Sequence, residues 1–236
     1  MPVNLTISPP RLLVVKVSGH LSTPDHADLI ARYARVLGEL RGRGLGLAVV
    51  VGGGSTARRY IAAARGLGAD EATLDLIGVR ASRLNAMLLI AALGRLAYPI
   101  PPESLEEVLE AYATGRIVVC GGLQPGQSTN AVSALIAEAL RADVLVNMTT
   151  VDAVYTADPE IDPSAKPIPQ LTVRELRRLL RVEEEYRAGG YKLMDPLSLL
   201  ILERSRVPMI VTDGRRPEVL REIAEGRVVG TLVTPG

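Results

Sequence analysis

Three glycine-containing segments of this chain each follow a short aliphatic run and carry side chains suited to binding phosphate. They are Lys16-Val17-Ser18-Gly19-His20, then Val51-Gly52-Gly53-Gly54-Ser55 with Arg58 one turn further on, and Cys120-Gly121-Gly122 continuing to Ser128-Thr129. Glycines at the end of a strand let backbone N–H groups approach an anion without interference from a Cβ atom. An arginine in the first turn of the next helix can bind phosphate oxygens through two donors. Together the segments predict a phosphate site, although each alone also fits a tight strand-to-helix turn.

Lysine is rare in this sequence, which makes the position of each lysine informative. Of the 27 basic residues, all but Lys16, Lys166 and Lys192 are arginine. Phosphoryl transfer needs fixed positive charge beside the non-bridging oxygens, and a lysine ammonium supplies it as a compact point charge. We therefore predict that Lys16 acts on a transferring group, with Lys192 as a second candidate. Lys166 lies in a proline-flanked segment and has no predicted role.

Three acidic residues are candidates for the same site. Asp75 interrupts an apolar stretch, Asp152 follows a predicted strand, and Asp195 precedes a proline. Asp before Pro is also a good helix N-cap, so Asp195 could serve that purpose alone. Ser128 has the same ambiguity, because it is either an N-cap or a donor to an anion at the same helix terminus.

Aliphatic runs alternate with amphipathic stretches along the chain and predict the elements that position these residues. The predicted strands are 12–17, 46–51, 116–120, 144–148, 207–212 and 228–233, and the predicted helices are 25–41, 55–65, 71–93, 104–112, 129–141, 173–180, 195–205 and 217–225. Continuously apolar strands are typical of a parallel sheet covered on both faces. The sequence thus predicts an α/β fold, a three-layer αβα sandwich around a mostly parallel sheet. Residues 152–170 are predicted to form a structured loop or hairpin. The three glycine segments should meet at one edge of the sheet, where open α/β sheets bind ligands.

Composition narrows the possible functions. A formal net charge of +1 argues against nucleic-acid binding, and a single cysteine with two histidines argues against a disulfide framework or a zinc site. The longest apolar run, residues 86–93, is too short to cross a bilayer, so we expect no membrane association and a cytoplasmic location. The high arginine content and scarcity of Asn and Gln suit a thermophile, although a GC-rich genome would also favour arginine. A 3-4 spacing of apolar residues from Leu74 to Ala91 fits either core packing or a subunit interface.

Several longer segments resemble the amino-acid-kinase superfamily and, within it, the archaeal uridylate (UMP) kinases. The resemblance runs through nearly the whole chain in the same order. Its most specific segments are Val50-Val51-Gly52-Gly53-Gly54 with Ala57-Arg58, Asp75-Leu76-Ile77-Gly78, Asn85-Ala86-Met87-Leu88-Leu89-Ile90-Ala91-Ala92-Leu93, Pro125-Gly126 with Ser128-Thr129, and Val151-Asp152-Ala153-Val154-Tyr155-Thr156-Ala157-Asp158-Pro159.

This resemblance implies a kinase that transfers a phosphoryl group from ATP to UMP with Mg²⁺, and it assigns roles to individual residues. The implied catalytic residues are Lys16, Arg58, Lys192, Asp152 and Asp195. The implied ATP-binding residues are Ser18, Gly19, His20, Gly54, Arg58, Thr149, Thr150, Tyr155 and Asp158. The implied UMP-binding residues are Gly53, Asp75, Leu123, Gln124, Pro125, Gly126, Gln127, Ser128 and Thr129. No residue is assigned as a direct metal ligand.

The resemblance also implies one domain over residues 1–236, in which residues 1–145 hold UMP and the dimer contacts and residues 146–236 hold ATP. The implied assembly is a homo-oligomer, a hexamer built as a trimer of dimers. Two alternatives stay open. One is another kinase of this fold, such as isopentenyl phosphate kinase, for which a substrate-binding His is expected shortly after the glycine loop; residues Ser55 to Tyr60 contain none. The other is a non-catalytic nucleotide-binding or storage scaffold, against which Lys16 and Arg58 argue.

Overall fold

A seven-stranded sheet forms the centre of the molecule. The computed structural model describes residues 5–157, 161–180 and 193–236. In chain order its strands are β1 (Leu12–Val17), β2 (Gly46–Val51), β3 (Val118–Cys120), β4 (Val144–Thr149), β5 (Val154–Tyr155), β6 (Pro167–Ile168), β7 (Gln170–Thr172), β8 (Met209–Asp213) and β9 (Thr231–Thr234). The sheet has the order β3-β2-β1-β4-β8-β9-β7, while β5 and β6 pair separately. The five neighbouring strands β3, β2, β1, β4 and β8 are parallel to one another, and β9 runs antiparallel to β8.

Helices cover both faces of this sheet. They are α1 (Ala27–Gly42), α2 (Gly54–Gly66), α3 (Glu71–Leu93), α4 (Leu105–Ala113), α5 (Thr129–Ala139), α6 (Val173–Leu179), α7 (Pro196–Ser205) and α8 (Val219–Ala224). One face packs against α1, α3 and α8, the other packs against α4 to α7, and α2 lies on the outer part of α3. The predicted three-layer αβα sandwich around a mostly parallel sheet is therefore confirmed.

Alternation along β1 decides which layer each side chain enters. Leu13 and Val15 join the cluster formed with α1 and α3, whereas Leu12 and Val14 join the cluster formed with α5 and α7. Because side chains alternate along a strand, Lys16 shares the α5 and α7 face with Val14. A lysine at this position extends into an aliphatic layer instead of into solvent.

The differences from the sequence prediction are concentrated at short or exposed elements. The predicted strands 12–17 and 46–51 match β1 and β2, but the strand predicted at 116–120 begins at Val118, because Ile117 instead forms an isolated bridge with Ala97. The strand predicted at 228–233 is shorter, beginning at Thr231. The sequence did not predict β7, a three-residue strand whose first residue is exposed. Residues 152–170 include the β5–β6 antiparallel pair, so the prediction of a loop or hairpin there is confirmed.

The apolar seam predicted on α3 divides between two environments. Leu74 and Ala81 are buried against α2, whereas Leu84 is 61% exposed. By length and composition alone, the segment Glu71–Leu96 could also span a membrane. Packing accounts for much of this apolar character, because α3 contacts both α2 and the sheet. Its remaining apolar residues, among them Leu76, Leu84 and Met87, form an uncovered stripe.

Candidate functional site

The loops after β1 and β2 lie directly against each other at the carboxyl edge of the sheet. Ser18 donates its backbone N–H to Met148 O (2.9 Å) and Gly52 donates to Val17 O (3.1 Å), which continues the parallel ladders past the strand ends. A Cβ atom on Gly19 would overlap the backbone N of Gly54, and one on Gly54 would overlap the backbone O of Gly19. Gly54 also has φ +59°, a conformation that favours glycine. The first two of the three glycine segments therefore meet at this edge, as the sequence predicts, and their contact depends on glycine at Gly19 and Gly54.

Two polar side chains of α3, neither of them a predicted site residue, fix the glycine segments. The buried Asn85 donates its amide hydrogens to Gly52 O (2.9 Å) and Gly53 O (3.0 Å). The hydroxyl of Ser82 accepts the backbone N–H of Gly122 (2.7 Å) in the third glycine segment. The available signal was a single polar residue, Asn85, directly before the apolar run 86–93. That signal shows that a partner exists but does not identify it.

The loop after β3 is held against α3 by Asp75 and Arg83. Asp75 Oδ2 accepts the backbone N–H of Gly126 (2.8 Å). The guanidinium of Arg83 donates to Gly122 O (3.0 Å) and Leu123 O (2.8 Å). Residues 123–128 of the predicted UMP site therefore form one loop beside Asp75, with Gln124, Pro125 and Gly126 exposed at its tip, whereas Gly53 of that prediction lies directly before α2.

Lys16 is a buried cation at the end of β1. Its side chain is 5% exposed, and it lies between Val50 of β2 and Asn147 of β4 in the parallel register. Burial lowers the pKa of its ammonium from 10.5 to about 8, and the nearby Asp195 carboxylate opposes that shift. Within the described part of the chain Lys16 forms no ion pair, so its charge is available to a ligand.

Asp195 and Ser128 connect the N-termini of two helices. Ser128 caps α5 by accepting the backbone N–H of Ala131 (3.0 Å), and its hydroxyl donates to Asp195 Oδ2. Asp195 in turn caps α7 through Ser198 N (3.0 Å). Both residues are N-caps, and each also contacts the other. The positive ends of the two helices and the Lys16 ammonium thus lie near one another.

Arg58 lies in the first turns of α2 and contacts the first glycine segment. Its guanidinium is 2.9 Å from His20 Nε2. The pKa of His20 is lowered by partial burial first, then by the positive charges of Arg58 and Lys16. His20 therefore stays neutral near pH 7, and the net charge between the glycine loops comes from Arg58 and Lys16.

The remaining predicted residues lie along the β4 side of the same edge. Asp152 accepts a hydrogen bond from the Tyr155 hydroxyl (2.9 Å) and contacts neither Lys16 nor Arg58. Thr149 ends β4, and its carbonyl accepts the backbone N–H of Gly214 (2.7 Å). Thr150 follows and is half-buried. Asp158 and Lys192 lie outside the described residues.

The arrangement suits the binding of phosphate groups better than metal ligation by protein side chains. Lys16, Arg58 and the backbone of two glycine loops face one edge of the sheet, where they can neutralise anionic oxygens. Residues 5–157, 161–180 and 193–236 contain no group of three or more His, Cys, Asp or Glu that could hold a metal ion. The site is therefore built around fixed positive charge.

Replacing Lys16 by methionine should stabilise the fold in a pH-dependent way. With a pKa of about 8 when folded and 10.5 when unfolded, the buried ammonium destabilises the folded state by about 3 kcal/mol. This cost is complete below pH 8 and declines up to pH 10.5, because the unfolded chain then binds a proton that the folded chain has released. We expect Lys16→Met to raise the free energy of unfolding by about 2–3 kcal/mol at pH 7 and by much less at pH 10.5.

Chemical denaturation of both proteins at the two pH values measures this difference. The matched control is Lys166→Met, because Lys166 is exposed and should change the free energy of unfolding little at either pH. An equal gain for Lys16→Met at both pH values would contradict the burial argument.

Comparison with known proteins places this site in a family. A model described as the amino acid kinase family matches residues 11–213. The uridylate kinase of Hyperthermus butylicus is 52% identical over 222 residues, covering 94% of this chain and 97% of that protein. The uridylate kinase of Sulfolobus acidocaldarius is 42% identical, covering 94% of this chain and 99% of that protein. The crystal structure of uridylate kinase from Archaeoglobus fulgidus matches with a TM-score of 0.83 and 38% identity, covering 94% of this chain and 99% of that chain. The chain therefore belongs to the amino acid kinase family.

Proposed function

We propose that this protein is a cytoplasmic UMP kinase of pyrimidine nucleotide biosynthesis, which transfers the γ-phosphoryl group of ATP to UMP and yields UDP and ADP. The observation that carries the proposal is the buried Lys16 beside two touching glycine loops, with Arg58 at their side. The names of the relatives at 42–52% identity support UMP as the acceptor.

The proposed reaction needs positioning and charge neutralisation more than proton transfer. The accepting oxygen of UMP is a phosphate oxygen that is already ionised near neutral pH, so no general base is required. Lys16 would stabilise charge on the transferring group, and Arg58 would bind its oxygens through two donors. Lys192 and Asp152 are proposed to assist. Asp195 would act on Lys16 through its negative charge, which favours the ammonium form.

The acceptor site would use the loop between β3 and α5. Gly53, Asp75 and residues 123–129 are proposed to hold UMP. Asp75 Oδ2 already accepts Gly126 N, so its second oxygen is the proposed acceptor for a ribose hydroxyl. This division of its two oxygens would fix the loop and the nucleoside relative to each other.

The donor site would use the loop after β1 and the segment after β4. Ser18, Gly19, His20, Gly54 and Arg58 are proposed to contact the ATP phosphates. The proposed contacts to the nucleoside are Thr149, Thr150, Tyr155 and Asp158. Within one domain, UMP is thus assigned to residues before about 145, whereas the proposed ATP contacts divide between residues 18–58 at the phosphates and residues 149–158 at the nucleoside.

Magnesium is proposed to enter with the nucleotide. Mg²⁺ is usually held by substrate phosphates, waters and one or two carboxylates, not by a dedicated protein cage. That donor chemistry fits a site whose described residues offer isolated carboxylates and no cluster. When bound, the ion would supply further neutralisation of phosphate charge.

The uncovered stripe of α3 supports the proposal of a homo-oligomer. Leu76, Leu84 and Met87 are 44%, 61% and 44% exposed, and they follow one another at helical spacing with the half-buried Leu88. A second copy of the chain would cover this face with the same residues, as a twofold interface requires. We propose a dimer through this face and a hexamer assembled from three dimers.

An acceptor panel tests the proposed reaction. ADP production should be rapid with UMP and at least tenfold slower with CMP, isopentenyl phosphate or carbamate. Lys16→Met is the control for chemistry at the site, and its kcat should fall by roughly 10²–10³-fold with little change in either KM. Faster turnover with isopentenyl phosphate would favour the other kinase, and tight ATP binding without turnover on any acceptor would favour a storage scaffold.

Asp75→Ala should affect the acceptor site selectively. Loss of the carboxylate removes both the proposed ribose contact and the hydrogen bond to Gly126 N. We expect KM for UMP to rise by roughly tenfold or more while KM for ATP changes by less than twofold. Steady-state kinetics with each substrate varied separately measures the two constants. An unchanged KM for UMP would mean that Asp75 has only a structural role.

Charge on the α3 stripe should separate the subunits. We expect Leu84→Glu to convert the oligomer to smaller species, because a carboxylate cannot be buried in an apolar interface without a partner. Light scattering at micromolar concentration measures the mass. Leu200→Glu is the matched control, since Leu200 is 54% exposed on α7 in the opposite layer. A wild-type monomer under these conditions would exclude the proposed assembly.

A further inference from the structure

Asn147 of β4 is a buried amide with an unused acceptor. Its side chain is 1% exposed, and its Nδ2 donates to the thioether sulfur of Met194 (3.5 Å). A thioether cannot donate a hydrogen bond, so this contact sets which end of the amide faces Met194. The Oδ1 atom is buried and has no hydrogen-bond partner within the described residues. A buried acceptor without a partner is costly and therefore needs an explanation.

Lys16 is the complementary group. Asn147 and Lys16 are register partners on adjacent parallel strands, and both side chains point to the α5 and α7 face, since Leu145 and Val14 enter the same cluster two residues earlier. Neighbouring strands lie about 4.8 Å apart. One side chain is a buried ammonium without a described partner, and the other is a buried carbonyl oxygen without one.

The carboxylate near Lys16 is already occupied. Asp195 accepts hydrogen bonds from Ser128 and from the backbone of Ser198. It acts on Lys16 through charge at a distance, not through an ion pair. The titratable groups coupled to Lys16 are thus Asp195 at the start of α7 and His20 in the loop after β1.

We propose that Asn147 is a positioning residue whose Oδ1 accepts a hydrogen bond from the Lys16 ammonium and holds that charge toward the glycine loops. The four-carbon side chain of Lys16 reaches Oδ1 by rotation about its terminal bonds. A neutral acceptor orients the ammonium and leaves its full charge for phosphate oxygens, whereas a carboxylate at this position would neutralise it. The inference rests on the proposed function only in that Lys16 acts on a phosphoryl group.

Direct titration of Lys16 tests this pairing. The chain has three lysines, so lysine-selective isotope labelling gives few NMR signals, and Lys166→Arg and Lys192→Arg variants assign them. We expect Asn147→Leu to lower the pKa of Lys16 by about one to two units, the effect of losing one buried hydrogen bond to a charged group. The alkaline limb of the kcat profile with UMP should move to lower pH by the same amount. Asn147→Asp should raise the pKa of Lys16.

Two further variants make the result decisive. Asn147→Ser keeps an acceptor oxygen in a smaller side chain, so it should lower the pKa of Lys16 by less than Asn147→Leu does. Thr212→Val removes a buried polar atom from the neighbouring strand β8 on the opposite face, and it should leave the pKa of Lys16 unchanged. An unchanged pKa of Lys16 in folded Asn147→Leu and Asn147→Ser would overturn the proposal. A shifted pKa in a protein that phosphorylates no acceptor would support the pairing and reject the proposed function instead.

Discussion

The contact between the loops after β1 and β2 constrains the rest of the site. Gly19 and Gly54 approach so closely that neither can carry a side chain. Because these loops end adjacent parallel strands, this contact sets the distance between Lys16 on β1 and Arg58 on α2. Asn85 then fixes the second loop from α3 through two carbonyls. The positions of the positive charges therefore depend on backbone packing, which is more rigid than contacts between long side chains.

Burial of Lys16 has opposite consequences for stability and for ligand binding. Removing an ammonium from water lowers its pKa to about 8 and destabilises the folded state. The same low-dielectric surroundings strengthen its attraction for an anion, since the charge is not screened by solvent. The aliphatic sheet makes this possible, because both faces of β1 contribute fully buried Leu and Val side chains to the core. A bound phosphate would supply the directly paired negative charge that Lys16 lacks among the described residues.

Much of the fold could be predicted because the central strands are continuous aliphatic runs. The bounds of β1 and β2 and the convergence of the glycine segments followed from local patterns alone. The short β7 did not, since a three-residue strand carries little periodic signal, and the strand predicted near β9 carried no indication that it runs antiparallel to β8. The roles of Asn85 and Ser82 could not be predicted either, because their partners lie 32 to 40 residues away. In the same way, the sequence indicated Asp152 as a candidate site residue but did not show that its carboxylate accepts a hydrogen bond from Tyr155.

Ser128 and Asp195 each cap a helix and at the same time contact another polar group. A serine hydroxyl has one proton to donate and two lone pairs to accept. Ser128 uses a lone pair to cap α5 and its proton to reach Asp195, while Asp195 uses its other oxygen to cap α7. Capping is therefore compatible with a role in the site. It holds the Asp195 carboxylate in place, and the charge of that carboxylate opposes the lowering of the Lys16 pKa by burial. The two helix termini and the buried ammonium form one electrostatic unit, built from residues more than 60 positions apart in the chain.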